Sequence, residues 1–261
     1  MASSTLFSSK NLSLNFEVGD QQVIAVNNAT LTIPAKEITI IYGASGSGKS
    51  SLLNIISGLQ KPTKGHLLYE TTDIYSQTPN ELAFFRGQKL GIVYQTNYWV
   101  KSLNVLENIA LPQYFLGVQK SAAQSQAKQA LEQVDMLKYA NKYPSLLSGG
   151  EQQRVAMARA IVNDPPVIIA DEPTGNLDSK NGDKIVSLLQ NLNHQHGKTI
   201  ILVTHNMEYI SIASHLLEIE DGNVTEIVHS DIPKTVKKML SSAQKRITDL
   251  MESKSWPKKI I

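Results

Sequence analysis

The 261-residue sequence contains no cysteine. Disulfides, thiolate metal sites and a cysteine nucleophile are therefore excluded, and the absence is compatible with the cytosol. Long apolar runs are missing too. The longest, around residues 38–44 and 199–203, fall far short of the roughly 18 residues a membrane span needs. Any work at a membrane therefore calls for a second polypeptide to supply the spanning part. The Ser-rich residues 1–10 lack the charged start and apolar block of a secretory signal. An excess of one charge is also absent: the net charge is +2 and the pI near 8.6, too mild to argue for nucleic acid as a partner. What remains is 41% apolar and 18% charged residues, an ordinary globular balance, in a chain long enough for a substantial core.

Residues 12–42 read as strands. Phe16, Val18, Val23, Ile24, Val26, Leu31 and Ile33 are β-formers, with Gly19-Asp20 as a turn signal. Ile38-Thr39-Ile40-Ile41-Tyr42 is a short apolar run of the kind buried on both faces of a sheet. A Gly-rich turn follows, then a helix-like stretch over 50–59. Residues 105–162 are mostly helical by composition, with Ala, Gln, Lys and Leu dominating 121–140. Val167-Ile168-Ile169-Ala170 and Thr199-Ile200-Ile201-Leu202-Val203 are two further buried strands, separated by a helix-like 179–193. Strands alternating with helices predict an α/β core with a largely parallel sheet. The runs 216–220 and 224–227 around Asp221-Gly222-Asn223 predict a closing hairpin.

Gly43-Ala44-Ser45-Gly46-Ser47-Gly48-Lys49-Ser50 fits the phosphate-loop pattern G-x-x-x-x-G-K-[ST], placed after a buried strand and before a helix. Glycines let the backbone curl so that N–H groups point at phosphate oxygens, and the helix start adds partial positive charge. Lys49 would reach the β- and γ-phosphates, and the Ser50 hydroxyl would ligate Mg²⁺. Asp171 and Glu172 end the strand that begins at Val167. In open α/β sheets ligands gather outside the carboxyl ends of the strands, so both acids should face the crevice of the phosphate loop. Asp171 suits Mg²⁺ binding, and Glu172 suits polarising a water for attack on a γ-phosphate. In Leu147-Ser148-Gly149-Gly150-Glu151-Gln152-Gln153-Arg154, Ser148 and Glu151 form a capping box. The helix it starts would carry an apolar face at Val155, Ala158 and Val162. Gly149 and Gly150 would leave its backbone N–H groups open to a second phosphate.

These segments, in this order, resemble the nucleotide-binding domain of ATP-binding cassette proteins over roughly residues 10–228. Residues 43–50 match the Walker A loop, Gln95 the Q-loop, and residues 147–152 the signature. Residues 167–172 match Walker B with its glutamate, Asn176-Leu177-Asp178 the D-loop, and His205 the switch histidine. The resemblance implies a P-loop NTPase fold with an antiparallel β subdomain and a helical signature subdomain at about 97–162. It implies an ATPase working with ATP and Mg²⁺. Two such subunits, identical or homologous, would meet head to tail and enclose two ATP molecules. Each ATP would lie between Gly43, Ala44, Ser45, Gly46, Ser47, Gly48, Lys49, Ser50 and Ser51 of one subunit and Ser148, Gly149 and Gly150 of the other. Gln95 would sense Mg²⁺ and the attacking water and couple to a membrane partner. Ser50, Gln95 and Asp171 would hold the metal, His205 would touch the γ-phosphate, and Asp178 would act across the interface. Phe16 stands where the family places an adenine-stacking aromatic, usually Tyr.

The implied partner is a membrane-spanning permease, and the implied location the cytoplasmic face of a membrane. Asp171-Glu172-Pro173-Thr174-Gly175-Asn176-Leu177-Asp178 is similar to the subgroup of macrolide-export, lipoprotein-release, antimicrobial-peptide-resistance and cell-division cassettes. That favours an exporter or a complex acting outside the membrane; a mechanical or signalling subunit is the alternative. Chromosome-maintenance relatives would need a coiled coil between Lys49 and Ser148, which are only 99 positions apart. The segment after Gln95 departs from the family. Tyr98 and Trp99 replace aliphatic residues and are either docking anchors for the permease or packing residues of the helical subdomain. The ATPase domain is expected over 1–229. A basic amphipathic extension over 230–261 follows, with eight basic and three acidic residues and apolar positions at Ile232, Val236, Leu240, Ala243, Ile247 and Leu250. Such a helix, ending near Trp256, could rest on an anionic membrane or a partner, or pack on its own domain.

Overall fold

The β-formers at the start of the chain build a small antiparallel sheet in the computed structural model, which describes residues 4–227 and 229–237 together with Ser241 and Thr248. Strands β1 (Thr5–Val18) and β2 (Gln21–Ala29) form a hairpin through the Gly19-Asp20 turn, and β3 (Thr32–Pro34) returns to pair with β1. The chain then enters β4 (Ile38–Tyr42), the phosphate loop and α1 (Lys49–Ile56). It rejoins the small sheet as β5 (Lys64–Tyr69) and β6 (Thr72–Asp73), giving the order β2-β1-β5-β6. Next come α2 (Pro79–Lys89) and β7 (Leu90–Val93). Three helices follow, α3 (Val105–Phe115), α4 (Lys120–Gln133) and α5 (Gly149–Ile161). The remainder is β8 (Val167–Asp171), α6 (Ser179–His194), β9 (Thr199–Val203), β10 (His215–Glu220) and β11 (Asn223–Ile227).

The large sheet has the order β11-β10-β4-β9-β8-β7. Every pairing is parallel except the β10–β11 hairpin. Its central strands read as unbroken apolar runs because both faces are covered. Side chains alternate between the two faces. Ile38, Ile40, Ile168, Ala170, Ile200 and Leu202 pack against α3–α6. Ile41, Val167, Ile169, Ile201 and Val203 pack toward α1 and the small sheet. Helix α1 is short, and Leu52, Ile55 and Ile56, each fully buried, hold it down at about 1.5–3 kcal/mol apiece.

The register places the site. Ile41 and Asp171 both pair with Val203, and Val93 pairs with Ala170. The chain therefore leaves β4, β7, β8 and β9 along one carboxyl edge. The phosphate loop, Gln95, Glu172 and His205 all follow within three residues of that edge.

Within the mostly helical 105–162, the Ala-, Gln-, Lys- and Leu-rich stretch 121–140 is helical only as far as α4 (Lys120–Gln133). The helix ends at the cap residue Val134, where Asp135 turns left-handed (φ 56°) and the Met136 N–H returns to the Leu131 carbonyl at 2.8 Å. This is a Schellman closure built without glycine, so the usual stop signal is missing from the sequence. Of the tail's apolar positions, Ile232 is buried and Val236 packs on the main core. Residues 232–237 are helical. Leu240, Ala243, Ile247, Leu250 and Trp256 lie outside the described residues.

Candidate functional site: the carboxyl edge of the large sheet

The phosphate loop curls between β4 and α1. Gly48 stands at the helix N-cap with φ 109°, and a Cβ there would lie 2.2 Å from the Ala25 carbonyl oxygen of β2. Neither the dihedral nor the space admits a side chain. A Gly48→Ala protein is therefore expected to lose about 2 kcal/mol or more of stability and its nucleotide affinity with it. Calorimetry and nucleotide titration check the two effects. The Gly222 N–H donates to the Ser47 carbonyl at 2.9 Å and so ties the loop to the β10–β11 turn. The Ser47 hydroxyl is buried and has no hydrogen-bond partner among the described residues, so a phosphate oxygen would give its proton a destination. The Lys49 ammonium donates to the carbonyls of Gly43 (3.0 Å) and Ala44 (2.7 Å). That folds its charge back over the loop.

Glu172 is the first residue past β8 and has φ 43°. Its N–H donates to the Val203 carbonyl at 3.0 Å, which fixes the turn. The two carboxylate oxygens face different partners. Oε2 accepts from Gln95 Nε2 at 3.4 Å, and Oε1 lies 3.3 Å from His205 Nδ1. Gln95, Glu172 and His205 therefore converge, although they come from three different strand ends. Behind Glu172, burial pushes the Asp171 carboxyl up, the Glu172 charge adds to this, and the Lys49 ammonium opposes both. Lys49 and the acidic pair thus share one electrostatic neighbourhood, as the sheet register requires. A carboxylate with a free approach between an amide and an imidazole can orient and deprotonate a water.

At the start of α5 the Glu151 carboxylate accepts from the backbone N–H and the hydroxyl of Ser148, both at 2.8 Å. The Tyr139 hydroxyl lowers the carboxyl most and the Ser148 bonds add to this, holding it down at about 2. Tyr139 is a residue the sequence reading missed. It lies nine positions before Ser148, in a turn with no signature of its own. The paired glycines divide their work. A Cβ on Gly150 would sit 3.0 Å from Asn181, so that glycine lets α5 approach α6, whereas one on Gly149 would meet only Leu177 at 3.9 Å. Gly149 is the one that keeps the helix start open. Asp178 caps α6, accepting from the Asn181 N–H and the Asn181 side-chain amide, each at 2.8 Å. Gln95, Gly149, Glu172, Asn176 and Leu177 line a polar cleft of about 160 Å³.

A family model described as ABC transporter matches residues 26–175. The chain belongs to the ABC transporter family. It is an ATP-binding cassette, and its chemistry is ATP hydrolysis coupled to transport. The lipoprotein-releasing system ATP-binding protein LolD of Buchnera aphidicola is 42% identical over 82% of this chain and 93% of its own length. The macrolide export ATP-binding/permease protein MacB of a Shewanella species is 38% identical over 92% of this chain, which spans 37% of that longer protein. Among solved structures, the dimeric cassette MJ0796, whose sequence is from Methanocaldococcus jannaschii, aligns with a TM-score of 0.81 at 38% identity. That alignment covers 86% of this chain and 99% of the other. A second dimeric structure of MJ0796, described as a post-hydrolysis state bound to ADP and Pi, aligns with a TM-score of 0.80.

Three further positions of the cassette bear on the sequence reading. Phe16 lies near the tip of the β1–β2 hairpin, opposite Val23, and is 40% exposed. It is not a core residue, and β2 runs against the loop at Ala25. Tyr98 is 72% exposed, with φ 46° and its ring edge-on to Tyr94. Trp99 does the opposite. Its indole N–H donates to Gln152 at 3.0 Å, and the Arg159 guanidinium stacks 4.5 Å from the ring centroid. Of these two aromatics, Tyr98 stands open to solvent and Trp99 packs onto α5.

Proposed function

We propose that two copies of this cassette, or this cassette and a homologous one, close head to tail around two ATP molecules and drive a separate membrane permease. The observation that carries this reading is Glu172, held between Gln95 and His205 on the sheet edge that also bears the phosphate loop. The loop's N–H groups and Lys49 bind the triphosphate, and Ser51 extends these contacts into α1. Phe16 stacks on the adenine. Following the family resemblance, Ser148, Gly149 and Gly150 serve the ATP held by the other copy, with Asp178 at the same interface.

Glu172 accepts a proton from a water that Gln95 orients. The water oxygen bonds to the γ-phosphorus, the bond to the β–γ bridging oxygen breaks, and ADP and phosphate are left. His205 donates to a γ-phosphate oxygen. The site suits Mg²⁺. Ser50 and Asp171 offer hard oxygen donors, and no group of three or more His, Cys, Asp or Glu side chains among the described residues forms a dedicated cage. One or two protein oxygens plus phosphates are the usual Mg²⁺ arrangement. When bound, the ion neutralises phosphate charge; Ser50, Asp171 and Gln95 would hold it.

No helix among the described residues is long and apolar enough to cross a membrane, and the likeness to LolD and MacB supports an exporter or a complex acting on the far side. Residues 1–229 would be the ATPase unit and 230–261 an extension. The docking surface for the permease would lie between α2 and the end of α3, where Phe84 is 51% and Phe115 84% exposed around a groove that includes Ala83, Pro112 and Leu116. A Phe84→Ser/Phe115→Ser protein should keep the ATP turnover of the isolated cassette within about twofold. It should lose permease binding by about tenfold or more, as aromatic anchors at an interface centre do. Co-purification with the permease and ATPase assays in reconstituted vesicles check both. Solute flux against partner activation separates transport from signalling.

A further inference from the structure

Trp99 sits in a bonded bridge between the segment after Gln95 and the helix that starts at the signature. From Trp99, the indole N–H reaches Gln152 and the ring receives Arg159. From two residues earlier, the Asn97 carbonyl accepts from Arg159 at 2.6 Å, and the Asn97 amide reaches Gln153 at 3.4 Å. Gln152, Gln153 and Arg159 all lie on α5, and Gln152 is seven residues, about 10 Å of helix, from Arg159. The indole therefore spans two turns of that helix. On the other side the chain is held just as firmly. The fully buried Asn108 accepts from the Val100 N–H at 3.0 Å and donates to the carbonyls of Leu103 and Asn104, each at 2.9 Å. Gln152 also donates to the Leu147 carbonyl at 3.1 Å, immediately before the signature serine.

We propose that Trp99 is a positioning residue for ATP hydrolysis. With Arg159 it makes the Gln95 segment and the Ser148–Gly149 helix start move as one body. Gln95 faces the carboxylate that serves this copy's ATP, and the helix start faces the ATP of the other copy. The bridge therefore links the occupancy of one nucleotide to the closing of the second. A flexible connection would allow each ATP to be gripped independently. The bridge rests on the proposed roles of Glu172, Gln95 and the signature. Desolvated cation–ring contacts and hydrogen bonds of this kind are strong enough for their loss to register as roughly tenfold effects.

The test compares Trp99→Ala, Trp99→Phe and Arg159→Lys in the full chain, each alone and in a Glu172→Gln background. Trp99→Ala and Arg159→Lys should lower kcat about tenfold or more. They should weaken ATP-induced dimerisation in the Glu172→Gln background, while the affinity of the monomer for a fluorescent ATP analogue stays within about twofold. Trp99→Phe keeps a ring over Arg159 and loses only the indole N–H, so it should recover most of the loss. If Trp99→Ala does not fold, the comparison of Trp99→Phe with Arg159→Lys decides. Unchanged kcat in both Trp99→Ala and Arg159→Lys would overturn the proposal. So would monomer affinity falling in step with kcat, or Trp99→Phe as impaired as Arg159→Lys. Glu172→Gln in the wild-type background is the control: if it turned over like wild type, the role of Glu172 would fail. If only the Trp99 series behaved unexpectedly, the bridge alone would fail.

Discussion

A Glu172→Gln protein is expected to bind ATP as tightly as wild type and to hydrolyse it about 10²–10⁴-fold more slowly. The amide keeps the size and the positive-φ turn of the glutamate, and the Glu172 N–H bond to Val203 does not involve the side chain. What it loses is the basic oxygen that takes the water's proton. It should also accumulate as an ATP-bound dimer, because closure is no longer relieved by cleavage. Single-turnover hydrolysis with size-exclusion chromatography in ATP measures both. Turnover within a few-fold of wild type would remove Glu172 from the proposed mechanism.

Lys49→Ala should lose nucleotide affinity by about 100-fold or more. The ammonium is buried and its bonds to the Gly43 and Ala44 carbonyls hold it over the loop, ready to exchange those acceptors for phosphate oxygens. Charge-assisted bonds of this kind contribute roughly 1.5–3 kcal/mol each, and two of them lost account for the expected drop. The substitution also leaves two loop carbonyls without their donor and removes the cation that opposes the upward push on Asp171. Titration with a fluorescent nucleotide reads the affinity. A Lys49→Arg protein should recover little, since the longer planar head does not fit the same pair of carbonyls.

The order of strands and helices was legible because its signals are local. Unbroken apolar runs at 38–42, 167–170 and 199–203 mark strands covered on both faces, and all three became central strands. The phosphate loop, Glu172 and the signature were legible because each joins a residue pattern to a defined place at a strand end or helix start. The sharing of one edge by the phosphate loop and Glu172 followed once the sheet was parallel. What could not be read depended on partners distant in sequence. Tyr139 reaches Glu151 from a turn without a pattern. Gly150 is small because Asn181 lies against it, a contact between two helices. The side of the chain that Trp99 would take was open until α5 placed Gln152 and Arg159 around its ring. Helix α4 stops short of its composition-based end because Asp135, not glycine, makes the left-handed closure.

Ile41 and Asp171 sit opposite the same Val203, and Val93 opposite Ala170. The gaps separating the lysine loop, the amide of Gln95 and the carboxylate of Glu172 are thus ruled by main-chain spacing, about 4.8 Å per neighbouring strand, and owe little to what fills the interior. Exchanges of Ile, Leu and Val along these strands can accumulate without altering the reach of one reagent to another. A one-residue slip of β8 would carry every reagent on it out of range at once.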